Sequence, residues 1–148
     1  GLMLNYRWHL MARIWRTPVL GELQQMLTTR RGFHWALNLG QRKPLPREFI
    51  DRMYTDLDKG TKRAILKLYR ATGHLSQRSE MLGRLLKPLN PPTLVIWGSE
   101  DRVVPLDIGL QIAQRIPGAD LHMLGRCGHV PHLERPHDFI HLLTRFFA

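Results

Sequence analysis

The sequence holds a single cysteine, Cys127, among its 148 residues. One thiol excludes a disulfide framework and a zinc site built on cysteine alone. Long hydrophobic runs are missing as well. The longest, Leu94-Val95-Ile96-Trp97 and Leu2-Met3-Leu4, are far too short to span a bilayer. No basic-then-apolar leader with a small-residue cleavage site opens the chain, and the expected setting is cytoplasmic. Acidic residues are scarce, 12 against 22 Lys and Arg, and the shortage is local. Residues 1–90 carry 17 basic and 6 acidic side chains, whereas residues 91–148 carry 5 and 6. A basic half can meet nucleic acid, an anionic surface or an acidic protein. No helix-turn-helix, RNA-recognition or zinc-finger pattern accompanies it, so no specific nucleic-acid partner is expected. Four histidines, His129, His132, His137 and His141, stand close together in sequence. They lack a C-x-x-C or H-E-x-x-H frame, and no metal site is expected.

What is present is globular composition, with 43% hydrophobic and 23% charged residues. The first ninety residues read as helices. Leu4, Trp8, Met11, Ala12 and Trp15 recur at helical spacing. Thr17-Pro18 then restarts the chain, with Thr17 as N-cap and Pro18 at the first helical position. Leu20, Leu23, Met26 and Leu27 share the next face. Residues 32–46, rich in Gly, Pro and basic side chains, are expected to contain a long loop. Pro46 opens a further helix bearing Phe49, Ile50, Met53 and Tyr54. Asp58 caps another, with Ala64, Ile65, Leu68 and Tyr69 inward and Gly73 at its end. Met81, Leu82, Leu85 and Leu86 mark a last short helix before Pro88.

The pattern changes at Pro92. Thr93-Leu94-Val95-Ile96-Trp97 is a continuous apolar run bounded by Pro and Gly, as a parallel strand buried on both faces requires. Pro105 starts a helix running to about Arg115. Asp120-Leu121-His122-Met123-Leu124 is a second strand, and Pro136 starts a final helix with Phe139, Leu142, Leu143 and Phe146 facing in. This order makes the two strands parallel. Two strands are too few for an independent sheet, so this half reads as the end of a larger α/β domain.

Parallel strands deliver their following loops to one edge, where ligands of open α/β sheets bind. The first loop is Gly98-Ser99-Glu100-Asp101-Arg102-Val103-Val104-Pro105, and the second is Gly125-Arg126-Cys127-Gly128-His129-Val130-Pro131-His132. An acid and a histidine thus reach the same edge. A carboxylate beside an imidazole fixes its tautomer and stabilises the imidazolium, which a general base for a nucleophile needs. Asp101 and its neighbour Glu100 are the candidate acids. Ser99 does not sit on a strand-to-helix elbow, and Cys127 reads as a small packed residue. Glu134 is read as support for the histidine loop or for the start of the last helix.

These loops, with Ile116-Pro117-Gly118-Ala119, Leu133-Glu134-Arg135-Pro136 and the closing Phe146-Phe147, resemble the C-terminal segment of the α/β-hydrolase superfamily. The resemblance implies an incomplete α/β-hydrolase fold: a helical cap over about residues 1–90, followed by two parallel strand–helix units over 91–148. It implies Asp101 and His129 as the acid and base of a catalytic triad. It also places Trp8, Trp15 and Tyr54, with Tyr6 and Tyr69 as further candidates, in a lid over a small-molecule substrate, with no cofactor. An ester or related acyl substrate is expected. Epoxide hydrolysis or haloalkane dehalogenation would follow from an aspartate nucleophile. A non-catalytic alternative is a basic module that docks an acidic carrier protein or binds nucleic acid without sequence preference.

The superfamily order is nucleophile, acid, base, with serine on a G-x-S-x-G elbow. No G-x-S-x-G occurs in the 148 residues. The expectation is therefore a C-terminal portion of a hydrolase holding two of three triad members, its nucleophile and oxyanion loop lying upstream of Gly1. We expect these 148 residues alone to show no titratable esterase activity. A stoichiometric burst with an active-site titrant would overturn that.

Overall fold

The fold, obtained as a computed structural model, is described for residues 8–72, 80, 81, 83–85, 88 and 91–148. Leu2, Met3, Leu4, Tyr6, Gly73, Leu82 and Leu86, named above, lie outside the described residues. The element order is α1 (Leu10–Arg16), α2 (Leu20–Leu27), α3 (Arg30–Asn38), α4 (Arg47–Thr55), α5 (Lys59–Ala71), β1 (Leu94–Gly98), α6 (Leu106–Arg115), β2 (Asp120–Leu124), α7 (Pro131–Glu134) and α8 (Pro136–Phe147). No helix among the described residues is long and apolar enough to cross a membrane. The chain divides into two units. One comprises Arg7–Leu37 and Pro46–His74; the other comprises Gly1–Tyr6, Asn38–Leu45 and Leu75–Ala148.

The helical unit is built on α1, α2 and α5, which pack on one another. Asp58 caps α5 as its sequence position suggests, its Oδ1 accepting the Thr61 N–H at 2.7 Å. That backbone bond holds the Asp58 carboxyl below the usual carboxylate range. Close approach of α2 to α5 rests on Gly21, where a β-carbon would stand 2.9 Å from the Leu66 side chain and 3.0 Å from the Trp15 carbonyl. Across this contact Arg70 forms a fork on Glu22, with N···O distances of 2.7 and 2.8 Å. The planar guanidinium matches both carboxylate oxygens. The Arg70 hydrogen bonds lower the Glu22 pKa from 4.5 to about 2.

One local expectation is corrected and another is narrowed. Thr17 does not cap α2: its hydroxyl donates to the Arg13 carbonyl at 3.0 Å and so closes α1. The chain then turns through Val19 at φ 67°, a left-handed conformation rare for a β-branched residue. Residues 32–46 do contain a loop, but it is confined to residues 39–46, because α3 reaches Asn38. Thr29 accepts the Gly32 N–H at 3.2 Å and starts that helix. Both prolines of the stretch, Pro44 and Pro46, fall after it. Gly32 sits in the first turn, where a lost Cβ costs little. The composition of the whole stretch hid a helix confined to its first part.

In the other unit β1 and β2 form a two-stranded parallel sheet, Leu94 opposite Asp120 through Gly98 opposite Leu124. β2 falls at its expected bounds, and β1 begins one residue later than the apolar run and ends on Gly98. Helix α6 packs on both strands and α7 packs on β1 and α8. Gly109 of α6 lies so close to the Trp97 indole that a β-carbon would stand 2.6 Å from the ring. Val95, Ile108, Leu124 and Cys127 are buried.

The Glu22 shift gives the helical unit a defined acid sensitivity. A depressed folded-state pKa contributes stability that is present above the unfolded value and lost as pH falls through the folded one. Replacing Glu22 by Gln is expected to lower the thermal midpoint near pH 6, and the difference from the parent should shrink between pH 4.5 and about 2. Midpoints measured by circular dichroism across that window check it; a constant difference at every pH contradicts it.

Candidate active site

Because β1 and β2 are parallel, the chain leaves both at the same edge. Backbone hydrogen bonds continue past the ladder and tie the two exit loops together. The Ser99 N–H donates to the Leu124 carbonyl at 3.0 Å, and the Glu100 N–H donates to the Cys127 carbonyl at 2.9 Å. Gly98 permits this approach, since a β-carbon there would collide with the Gly128 carbonyl oxygen and stand 2.6 Å from that of Cys127.

Asp101 and His129 meet across this junction. His129 Nδ1 lies 2.9 Å from Asp101 Oδ2. An ionised carboxylate only accepts, so Nδ1–H is the donor and Nε2 is the unprotonated nitrogen of the neutral ring. The other oxygen, Oδ1, accepts the N–H groups of Val103 at 2.8 Å and Val104 at 2.9 Å. The loop thus wraps its own acid, and the Asp101 side chain is 5% exposed while that of His129 is 39% exposed. A buried carboxylate held by two amides and an imidazole edge open to a reactant is what orienting acid and proton carrier require. Glu100, the neighbouring alternative, is turned to Arg42, with Oε2 3.0 Å from Nε.

A third segment joins the two loops. Residues 38–45 belong to the strand-bearing unit although they lie between α3 and α4 in sequence. The His129 N–H donates to the Gly40 carbonyl at 3.0 Å. The Val130 N–H donates to Gln41 Oε1 at 3.2 Å. Glu134 closes the arrangement from the other side. Its Oε1 accepts the Gly128 N–H at 3.0 Å, and its Oε2 accepts those of Arg42 at 2.9 Å and Lys43 at 3.1 Å. Glu134 is only 6% exposed. Sequence reasoning reached Glu134 through its place beside the histidine loop. It missed residues 40–43, whose contribution is mostly backbone and leaves no side-chain signature.

Cys127 is fully buried, and burial, reinforced by the Glu134 charge, pushes its thiol up to about 11. It is a protonated packing group and not a nucleophile at neutral pH. His132 lies against Phe139, ring centroids 5.8 Å apart. Among the described residues no three His, Cys, Asp or Glu side chains converge as a metal site demands.

Trp8, Trp15, Phe33, Tyr54 and Tyr69 of the helical unit contact one another within it. Trp8 and Trp15 both contact the Tyr69 ring, at centroid distances of 5.9 and 4.9 Å. Trp15 Nε1 donates to Gln24 Oε1 at 2.7 Å. Tyr54 packs on Phe33 at 5.7 Å, its hydroxyl donating to the Thr28 carbonyl at 3.3 Å.

The family model of the alpha/beta hydrolase fold matches residues 2–136. A 2-hydroxy-6-oxononadienedioate/2-hydroxy-6-oxononatrienedioate hydrolase of Burkholderia vietnamiensis is 44% identical over 64 residues, 43% of this chain and 22% of that protein. A 2-hydroxymuconate semialdehyde hydrolase of Pseudomonas putida is 44% identical over 63 residues, 43% of this chain and 22% of the relative. The chain therefore matches under a quarter of the length of these curated relatives. Among solved structures, the 2-hydroxy-6-oxo-6-phenylhexa-2,4-dienoate hydrolase of Rhodococcus sp. strain RHA1 has the same fold, with a TM-score of 0.74 at 23% identity over 97% of this chain and 50% of that one. The meta-cleavage product hydrolase of Pseudomonas fluorescens IP01 aligns with a TM-score of 0.64 at 26% identity, over 83% of this chain and 47% of that one. With a model match that spans most of the sequence, two parallel strands in the expected order and neighbours of this fold, the chain belongs to the alpha/beta hydrolase fold family.

Proposed function

We propose that this chain supplies the acid and base of a hydrolase acting on a small 2-hydroxy-6-oxo-dienoate, with Asp101 orienting His129. The carrying observation is the 2.9 Å contact of His129 Nδ1 with Asp101 Oδ2 across the two strand-exit loops. The substrate class comes from the names of the relatives, and it replaces the ester or related acyl substrate expected from sequence with a 6-oxo compound, ketone or aldehyde, that has a carbon leaving group.

In this reading His129 Nε2 takes the proton of a nucleophile, a serine hydroxyl or water, as it attacks the 6-oxo carbon. The buried Asp101 charge stabilises the imidazolium so formed. The bond from the acyl carbon to the dienoate then breaks. For that electron pair to be delocalised, the 2-hydroxydienoate first moves its hydroxyl proton to the departing carbon, giving the 2-oxo tautomer; the cleavage then yields a dienolate, whose 2-oxygen takes the proton back from the imidazolium. Overall, water adds hydroxyl to the acyl carbon and hydrogen to the departing carbon, giving a carboxylate and a shortened hydroxydienoate. No cofactor is needed for this balance. The nucleophile is assigned to the same protein outside the loops described above, since no G-x-S-x-G occurs in the sequence. The helical cap over residues 1–90, the core end over 91–148 and a cytoplasmic setting complete the proposal; a lone buried thiol fits that setting.

The aromatic contacts of Trp8, Trp15 and Tyr54 are those of helix packing, and the reading does not depend on them as substrate-facing residues. Docking of an acidic carrier has no support from the relatives, whose names give hydrolysis of small molecules.

Expressed in its complete reading frame, the protein is expected to hydrolyse a 2-hydroxy-6-oxo-dienoate, followed by loss of the long-wavelength absorbance. Asp101→Asn should lower kcat by about 10³–10⁴ and His129→Gln at least as much. Folded variants that keep kcat within tenfold of the parent would sink the acid–base assignment. Turnover of simple esters alone would remove the substrate class and leave the pair standing.

A further inference from the structure

Resting on the reading above, we infer that Glu134 and the segment 40–43 it grips form the positioning element that holds His129 against Asp101. The imidazole sits in a loop with no regular secondary structure on its N-terminal side, running from Gly125 to Val130. A loop residue keeps its rotamer only where its backbone is pinned. Here the pins are countable. Gly128 N–H is held by Glu134 Oε1, His129 N–H by the Gly40 carbonyl and Val130 N–H by Gln41 Oε1. Three consecutive amides, centred on the proposed base, all have partners outside their own loop.

Those partners are themselves tied down. Glu134 Oε2 accepts the Arg42 and Lys43 amides, so the one carboxylate holds the histidine loop and the segment that cradles it. Arg42 reaches on to Glu100 beside the acid, at 3.0 Å. A β-carbon on Gly40 would collide with a Val103 methyl group, and Val103 donates its amide to Asp101. The segment therefore touches the acid loop and the base loop together, and fixes the gap between them. At 6% exposure, Glu134 exchanges almost no hydrogen bonds with water, and its three amide donors have no cheap substitute. Glu134 touches no reacting atom in this scheme; it acts through His129.

The test uses the protein in its complete reading frame with Glu134→Gln and Gly40→Ala. The glutamine keeps the shape, but its NH₂ end faces amide donors and cannot accept from them. The alanine leaves Glu134 intact and displaces the segment against Val103. Both are expected to lower dienoate kcat about tenfold to a hundredfold with KM within about twofold, as misplacement of a reacting group does. Both should also shift or broaden the downfield proton resonance of His129 Nδ1–H, which a change in general stability would leave in place. A folded Glu134→Gln protein with the parental resonance and kcat within twofold would overturn the inference. Should Glu134→Gln not fold, the same two readouts on Gly40→Ala decide. Should the parent not hydrolyse the dienoate, the substrate reading fails separately, and the Nδ1–H resonance still decides the positioning role.

Discussion

Everything proposed for this chain depends on two short strands running in the same direction. An antiparallel pair would send the loops after β1 and β2 to opposite edges and separate Asp101 from His129 by the length of the sheet. The in-register parallel ladder ends on Gly98 opposite Leu124, and both loops start level. Backbone bonds from Ser99 and Glu100 then extend the pairing beyond the strands, so the approach is set before any side chain acts. The side-chain contact of acid and base is the outcome of that alignment.

The two halves of the chain differ in how much of this could be read from sequence. The strand-bearing half was legible because its signals are of distinct kinds. A four-residue apolar run between Pro and Gly is short enough to exclude a helix, and Pro105 and Pro136 mark the starts of α6 and α8 closely. Asp101 and His129 were legible for the same reason, as each follows a strand by a few residues. The helical half depends on weaker punctuation. Asp58 capped its helix as read, whereas Thr17, an equally good capping residue, spends its hydroxyl on the helix behind it. A side chain that can serve either neighbour is assigned by tertiary geometry, which no local pattern records.

Residues 38–45 were illegible for a different reason. Gly, Gln, Arg, Lys and Pro in a row suggest a solvated connection. The segment instead belongs to the strand-bearing unit and contributes main-chain groups to its loops, with a carbonyl from Gly40 and amides from Arg42 and Lys43. Such bonds depend on where the backbone passes, and almost any side chain is compatible with them. The contact dictates residue identity at position 40, through Val103, and draws on a side chain at position 41, where Gln41 Oε1 accepts the Val130 amide.

The three-amide grip of Glu134 also has a bearing on how the edge of the sheet comes apart. A carboxylate shared between the Gly128, Arg42 and Lys43 amides cannot release one of them without leaving the buried charge under-solvated, so there is no graded loosening. The amides of residues 42, 43 and 128, which share this one carboxylate, are therefore expected to open together as one local unit. Proton exchange with solvent at these three positions should then follow a single shared event.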